Sequence, residues 1–224
     1  MKNTEKLARE NNRDYALRVI RENIINLELK PGSMISEQDI AEELHLSRTP
    51  VHEALQELAR TKIIEIMPQK GSLVSLVDMN RVDEAVFMRA TIESAVTEEA
   101  SKLATDADIA QMEANIKLQQ FYNETKAIEK LLEVDNQFHE LMYKITNKMQ
   151  CFYMVRLMNI HYDRFREMKM HTVKGDPIIE EHIEILNAVK NHDPERAKAA
   201  LLKHINRLYL DVVEIKNNYP DYFA

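Results

Sequence analysis

The sequence predicts a mainly α-helical protein in two parts: an N-terminal winged helix-turn-helix with a small β-hairpin, and a C-terminal antiparallel all-α bundle. Three observations carry this expectation. Glycine occurs only at Gly32, Gly71 and Gly175 in 224 residues, whereas helix-forming residues are abundant. Strand-like runs are confined to residues 62–77, with helical periodicity before and after them. From Asn80 onward the chain is interrupted only by short turn and cap signals.

The elements follow in order. Asn12 to Leu29 spaces Ala16, Ile20, Ile24 and Leu27 at helical steps, and Pro31-Gly32 ends that helix. Ser36-Glu37-Gln38-Asp39 resembles a capping box and opens a short helix through Ile40, Ala41 and Leu44. After His45-Leu46, Ser47 caps a third helix that tolerates Pro50 in its first turn and gathers Val51, Ala54, Leu55 and Leu58 on one face. KIIEIM, the turn PQKG and SLVSLV then read as a hairpin. Three helices and a hairpin is the order of a winged helix-turn-helix, here over residues 12–77 behind an arm of residues 1–11.

Helices are expected at about 80–103, 107–123, 126–146, 150–170, 177–190 and 194–217, leaving a tail at 218–224. Breaks fall at Thr105-Asp106, Thr125, Asn147, Gly175-Asp176-Pro177 and His192-Asp193-Pro194. The last is a strong start signal, with Asp193 as cap, Pro194 in first position and Glu195 in the first turn.

Composition narrows the function. Three glycines cannot write a Rossmann fingerprint or a P-loop. A single cysteine, Cys151, excludes an internal disulfide and a Cys-rich zinc finger. No run approaches the ~20 apolar residues that cross a bilayer, and the start MKNTEKLARENN has no apolar signal core. A cytoplasmic protein without membrane attachment is expected. The net charge is −7, but unevenly spread: residues 1–77 hold 11 Lys+Arg against 12 Asp+Glu, and the remainder holds 19 against 25. The near-neutral N-terminal part can present a basic face to phosphate; the acidic remainder is poorly suited to it.

In a helix-turn-helix the second helix enters the major groove with its N-terminal residues near the DNA. That helix begins Ser47-Arg48-Thr49-Pro50-Val51-His52. Hydroxyls and free amides there suit phosphates, and Arg48 can pair with guanine. Lys70 at the hairpin tip offers a charge, and Gly71 permits close backbone approach. Ser36, Ser47, Arg48, Thr49, His52, Lys70 and Gly71 are therefore the candidate residues for double-stranded DNA. Taken alone, Ser47 could equally be only a cap and Arg48 only a solvated charge.

A second constellation lies in the bundle. Asp135 and His139 are four residues apart and share a helical face. His182 and His204 are equidistant from residue 193, so an antiparallel hairpin turning there sets them level. Three imidazoles and a carboxylate suit Zn²⁺, Ni²⁺, Mn²⁺ or Fe²⁺. The plainer alternative is that Asp135 only pairs with His139 and the histidines are satisfied core or boundary residues; His161, His171 and His192 are read as such, or as simply exposed.

The stretch LKPGSMISEQDIAEELHLSRTPVHEALQELARTKIIEIMPQKGSLV resembles the winged helix-turn-helix of GntR-type bacterial transcription regulators. Two departures stand out: His52 replaces an arginine that touches DNA in the family, and Lys62 replaces the glycine after the recognition helix. The C-terminal half resembles the FCD ligand-binding domain of the FadR subfamily, through Arg89-Ala-Thr-Ile-Glu93, Asp135-Asn-Gln-Phe-His139, Glu181-His182-Ile-Glu-Ile-Leu and Ala197-Lys-Ala-Ala-Leu-Leu-Lys-His204. His192 stands where that domain usually has glycine. The resemblance implies a divalent metal on Asp135, His139, His182 and His204, and a small carboxylate or sugar-acid effector. Arg89 is the first candidate for that effector, with Glu93 in the same element, and Asn159, Tyr162 and Arg164 further along. It also implies a homodimer on an inverted-repeat operator. Two other readings remain: a regulator answering to metal alone, and a metal-dependent enzyme.

Overall fold

The computed structural model describes residues 1–173 and 177–224; the expected break at Gly175-Asp176 lies outside the described residues. The chain forms two compact units, and they do not follow the linear boundaries expected. The first comprises Met1–Val82 with Leu157–Glu167 and Lys216–Ala224; the second comprises Asp83–Arg156 with Met168–Ile215.

The first unit is built on three helices. α1 (Asn12–Ile25) is capped by the Asn11 side chain, which accepts from the Asp14 amide. It stops four residues short of the expected end, and Leu27 then turns the chain with a φ of 58°. α2 (Glu37–Glu43) starts where expected, with Ser36 accepting from the Asp39 amide. α3 (Arg48–Arg60) buries Val51, Ala54, Leu55 and Leu58, and packs on α1. Their shared core includes Val19, Ile20, Ile24, Ile40 and Ile63.

The hairpin is present as β2 (Ile64–Met67) and β3 (Gly71–Val74). A third strand, β1 (Met34–Ile35), was not expected; it pairs antiparallel with the other edge of β3 through Met34↔Leu73 and Ile35↔Ser72. The arm of residues 1–11 is tied to this unit. The Lys2 amide and carbonyl bond the Asn23 side chain, and the Tyr15 hydroxyl donates to Asn3 Oδ1.

Residues 157–167 join this unit because their buried groups have their partners here. Arg164 donates to the carbonyls of Ser75 (2.6 Å) and Leu76 (3.3 Å). The C-terminal residues do the same: Val77 donates to Tyr222 O, Ala224 donates to Val77 O, and Phe223 packs edge-on to Phe165.

The second unit contains α4 (Met79–Leu103) from Asp83 on, α5 (Asp106–Glu124), α6 (Ile128–Ile145), α9 (Ile178–Lys190) and α10 (Pro194–Asn206). α5 packs on both α6 and α9, and α9 pairs with α10. Thr105 and Asp108 form a full capping box at α5. Asp193 caps α10 by accepting from the Arg196 amide, with Pro194 in first position as expected.

Two expected helices are divided. Residues 150–170 form α7 (Met149–Met158) and α8 (Ile160–Thr172), with a new hydrogen-bond ladder starting from the Asn159 carbonyl. Residues 194–217 form α10, a 3₁₀ turn (Arg207–Leu210) and α11 (Val212–Asn218). There Asp211 is buried and paired with Lys169 at 3.1 Å, which favours tightening the chain over continuing the helix.

Several corners are made without glycine. His45 (φ 54°), Lys62 (61°), Lys126 (54°), Asn147 (54°) and His192 (52°) each adopt the left-handed conformation just past a helix end. Lys62 and His192, where the resemblance implied glycine, thus adopt the left-handed backbone that glycine takes most easily. Among the described residues, no helix is long and apolar enough to cross a membrane.

Candidate functional site

Two sites emerge, one in each unit. In the first unit, Ser47, Arg48 and Thr49 open α3 on an exposed face. Ser47 occupies the cap position with extended backbone, but its side chain makes no cap hydrogen bond. The face is organised by a residue that sequence reasoning passed over. Glu37 Oε1 lies 2.7 Å from His52 Nδ1, and its Oε2 lies 3.6 Å from Arg48 Nη2. Ser36, Glu37, Gln38, Arg48 and residues 66–71 line one surface recess. Lys70 stands exposed at the hairpin tip. Gly71 has a task inside the protein: at φ 106°, an added Cβ would lie 2.8 Å from the Ile35 carbonyl oxygen. Only glycine lets β1 close on β3 there.

In the second unit, α6, α9 and α10 bring His139, His182 and His204 together, with one nitrogen of each within 4.8 Å of the others. The expected level pairing across the 193 turn is realised: His182 Nε2 and His204 Nε2 are 3.3 Å apart. Asp135 Oδ1 is 3.7 Å from His182 Nε2. All four side chains are buried.

Each imidazole has an oxygen close behind Nδ1, and for His182 and His204 it is hydrogen-bonded. His182 Nδ1 lies 2.7 Å from Gln119 Oε1 on α5. His204 Nδ1 lies 3.1 Å from Glu181 Oε2, and His139 Nδ1 lies 2.9 Å from Glu93 Oε2. For His182 and His204 an acceptor behind Nδ1 favours the proton there and aims Nε2 forward, the arrangement that supports metal-binding histidines; His139 Nδ1 is near Glu93 without an aligned hydrogen bond, and its Nε2 faces Arg89 Nη2. Burial pushes His182 and His204 well below the ordinary imidazole range, and the neighbouring imidazoles push the same way. Both are neutral, the form that ligates. With both protons on Nδ1 the two Nε2 lone pairs would face each other, an arrangement that a cation between them relieves. Ligand bonds of about 2.0–2.1 Å around one ion place neighbouring nitrogens roughly 3.3 Å apart. The donor set thus fits a divalent borderline metal.

Arg89 and Glu93 flank this cluster, both buried. Arg89 Nε donates to Glu93 Oε1 (2.8 Å) and Nη2 to Oε2 (3.1 Å), while Nη2 is also 3.3 Å from His139 Nε2. Burial alone would raise the Glu93 carboxyl; Arg89 and then His139 outweigh it and hold it below the ordinary range. The i, i+4 pairing of Arg89 with Glu93 is therefore present, and an effector would have to share this guanidinium.

Asn159, Tyr162 and Arg164 all belong to the first unit. Arg164 is fully buried and spends its guanidinium on the Ser75 and Leu76 carbonyls and on His161 Nδ1, 3.0 Å away. Burial, and then the Arg164 charge, push His161 down to about 4, so it stays neutral beside the guanidinium. Tyr162 is buried with its ring facing the Arg166 guanidinium at 6.0 Å, and Asn159 is buried at the α7–α8 break. Sequence reasoning also missed Gln119 and the role of Glu181. No spacing rule links α5 to α9, and Glu181 reaches across to the histidine of the opposite helix.

A winged reading head and a helical bundle with a buried ligand-type cluster define a DNA-binding regulator with a sensing domain. Residues 15–74 match the model of the bacterial regulatory proteins of the gntR family, and residues 84–207 match that of the FCD domain. The chain belongs to the GntR family of bacterial transcription regulators and carries an FCD effector-binding domain. It is 28% identical to the HTH-type transcriptional repressor RspR of Escherichia coli K12 over 92% of this chain and 91% of that protein. It is 30% identical to an HTH-type transcriptional regulator in an unstable DNA locus of Streptomyces ambofaciens, over 96% and 91%. The solved structure of E. coli McbR/YncC superposes with a TM-score of 0.80 at 20% identity, covering 94% of this chain and 99% of that one, and shows the same fold. These relatives are transcription regulators, not enzymes.

Proposed function

We propose that this protein is a cytoplasmic, homodimeric regulator of the FadR subfamily that reads an inverted-repeat operator, with its grip set by a small carboxylate bound beside a divalent metal. Ser36, Ser47, Arg48, Thr49, His52, Lys70 and Gly71 form the DNA face, positioned in part by Glu37. Asp135, His139, His182 and His204 hold the metal, and Arg89 with Glu93 borders the effector position. The observation that carries this reading is the cluster of three buried imidazoles with Asp135 beside it, two of them backed at Nδ1 by an acceptor. When bound, the metal supplies open coordination positions that a carboxylate oxygen can take from water. Gln119, Glu181 and Glu93 orient the imidazoles, and Arg89 supplies a planar donor pair on one side. The DNA-reading head responds only if the effector binds its two conformations unequally.

A second reading, response to metal alone, is favoured by the engagement of Arg89 with Glu93. One titration separates the two. Operator binding is measured with chelator, with Zn²⁺ or Mn²⁺ alone, and with metal plus small organic acids. A change only in the last condition supports the effector reading. A full change with metal alone supports the second. Binding indifferent to all three conditions refutes both.

A further inference from the structure

We propose that the Tyr143 hydroxyl is a further effector-binding group, donating its proton to an oxygen of the bound carboxylate. This rests on the effector reading above and adds a residue to it. α6 carries Asp135, His139 and Tyr143 at two successive intervals of four, so all three lie along one face of that helix. The first two already meet the histidine cluster. Tyr143 is one turn further on and 1% exposed. Its ring is fixed edge-on against Phe152, with centroids 5.5 Å apart.

The hydroxyl is buried and has no protein hydrogen-bond partner among the described residues. Such a group costs stability unless something satisfies it, and buried hydroxyls without partners are rare. The neighbourhood explains why the protein does not satisfy it. Glu93 has both oxygens engaged, one by Arg89 and the other by Arg89 and His139. Burial raises the phenol far above any physiological pH, and the Glu93 charge adds to this while Arg89 opposes it. The group is therefore a permanent donor, and its complement is an anionic oxygen. A carboxylate with one oxygen toward the metal position or Arg89 has a second to offer Tyr143.

The test compares the full-length protein and Tyr143→Phe, each with Zn²⁺ and with chelator. Acetate, succinate and citrate are titrated by calorimetry, and melting is followed in parallel. Phenylalanine keeps the ring and its packing on Phe152. The proposal expects the variant without acid to melt at or above the wild-type temperature, because an unpaired hydroxyl has gone. It expects unchanged zinc content and roughly tenfold or greater loss of affinity for whichever acid binds wild type, the loss typical of a hydrogen bond to a charged group. In wild type carrying carbon-13 at the tyrosine Cζ, that acid should shift the Tyr143 resonance. Equal affinity in both proteins, or a resonance unmoved by a bound acid, overturns the proposal, leaves the effector reading standing, and marks a hydroxyl met by water alone. Failure of all three acids to bind wild type overturns both. Failure to retain zinc removes the metal from the reading, while the chelator arm still decides Tyr143.

Discussion

Replacing His182 by alanine separates a ligand from a core residue. His182 is fully buried, stacks on Phe138 with centroids 4.4 Å apart, and meets Gln119 Oε1 at 2.7 Å. Alanine leaves a ring-sized cavity and strands the Gln119 carbonyl. These cost roughly 3–5 kcal/mol together. At about 2–4 °C per kcal/mol for a chain of this size, melting should fall by roughly 10 °C even in chelator. The metal adds a second, independent quantity. Wild type at a free Zn²⁺ concentration one hundred times Kd gains about 2.7 kcal/mol, or roughly 5–10 °C. The variant has lost one of the three imidazoles, so this increment should shrink to near zero. Melting curves with Zn²⁺ and with chelator, plus elemental analysis, measure both. His161→Ala is the control: it is also buried, so it should lower the baseline while keeping zinc content and the increment. An undiminished zinc increment in His182→Ala would refute the ligand assignment, whatever happens to the baseline.

Three further outcomes are expected. Lys62→Gly should raise stability by roughly 0.5–1 kcal/mol, because a left-handed lysine costs about 1–2 kcal/mol and the added freedom of the unfolded glycine offsets part of the relief; a lowered melting temperature would contradict this account of the φ of 61°. Arg48→Ala should weaken specific operator binding by about 1–3 kcal/mol, whereas Lys70→Ala should weaken binding to all sequences alike; gel shifts unaltered by either change would displace the reading face. His161 has a folded pKa of about 4 against an ordinary 6.5, so folding opposes its protonation. Its share of stability is intact above pH 6.5 and is lost as pH falls toward 4, reaching about 2 kcal/mol at pH 5. His161→Gln should flatten the melting profile over that window, and an unchanged slope would count against the shift.

The sequence exposed what is local or what symmetry fixes. Ser36 and Asp193 announce helix starts through short-range chemistry, and both caps are present. The turn at Asp193-Pro194 sufficed to set His182 level with His204. Strand β1 escaped because two residues between a turn and a cap carry no period; only pairing with distant Leu73 and Ser72 makes them a strand. The α7–α8 break has no glycine or proline to signal it. Glu37 was visible only as a first-turn residue of α2, since its approach to His52 depends on how α2 and α3 cross. Gln119 had no signal at all, because its use depends on α5 lying beside α9.

The α9–α10 corner has a mechanical consequence. His192 closes it in a left-handed turn and fastens it to the end of α4, with Nδ1 2.8 Å from the Ser101 carbonyl oxygen. His182 and His204 therefore ride on one stiff arm, their spacing set by the corner. His139 and Asp135 ride on another arm, α6, joined to the first through α5. The two arms make a caliper, and a cation held between them would gauge the gap. A displacement of a few tenths of an ångström that leaves every helix intact would then change how well the jaws fit that cation, and its affinity with it.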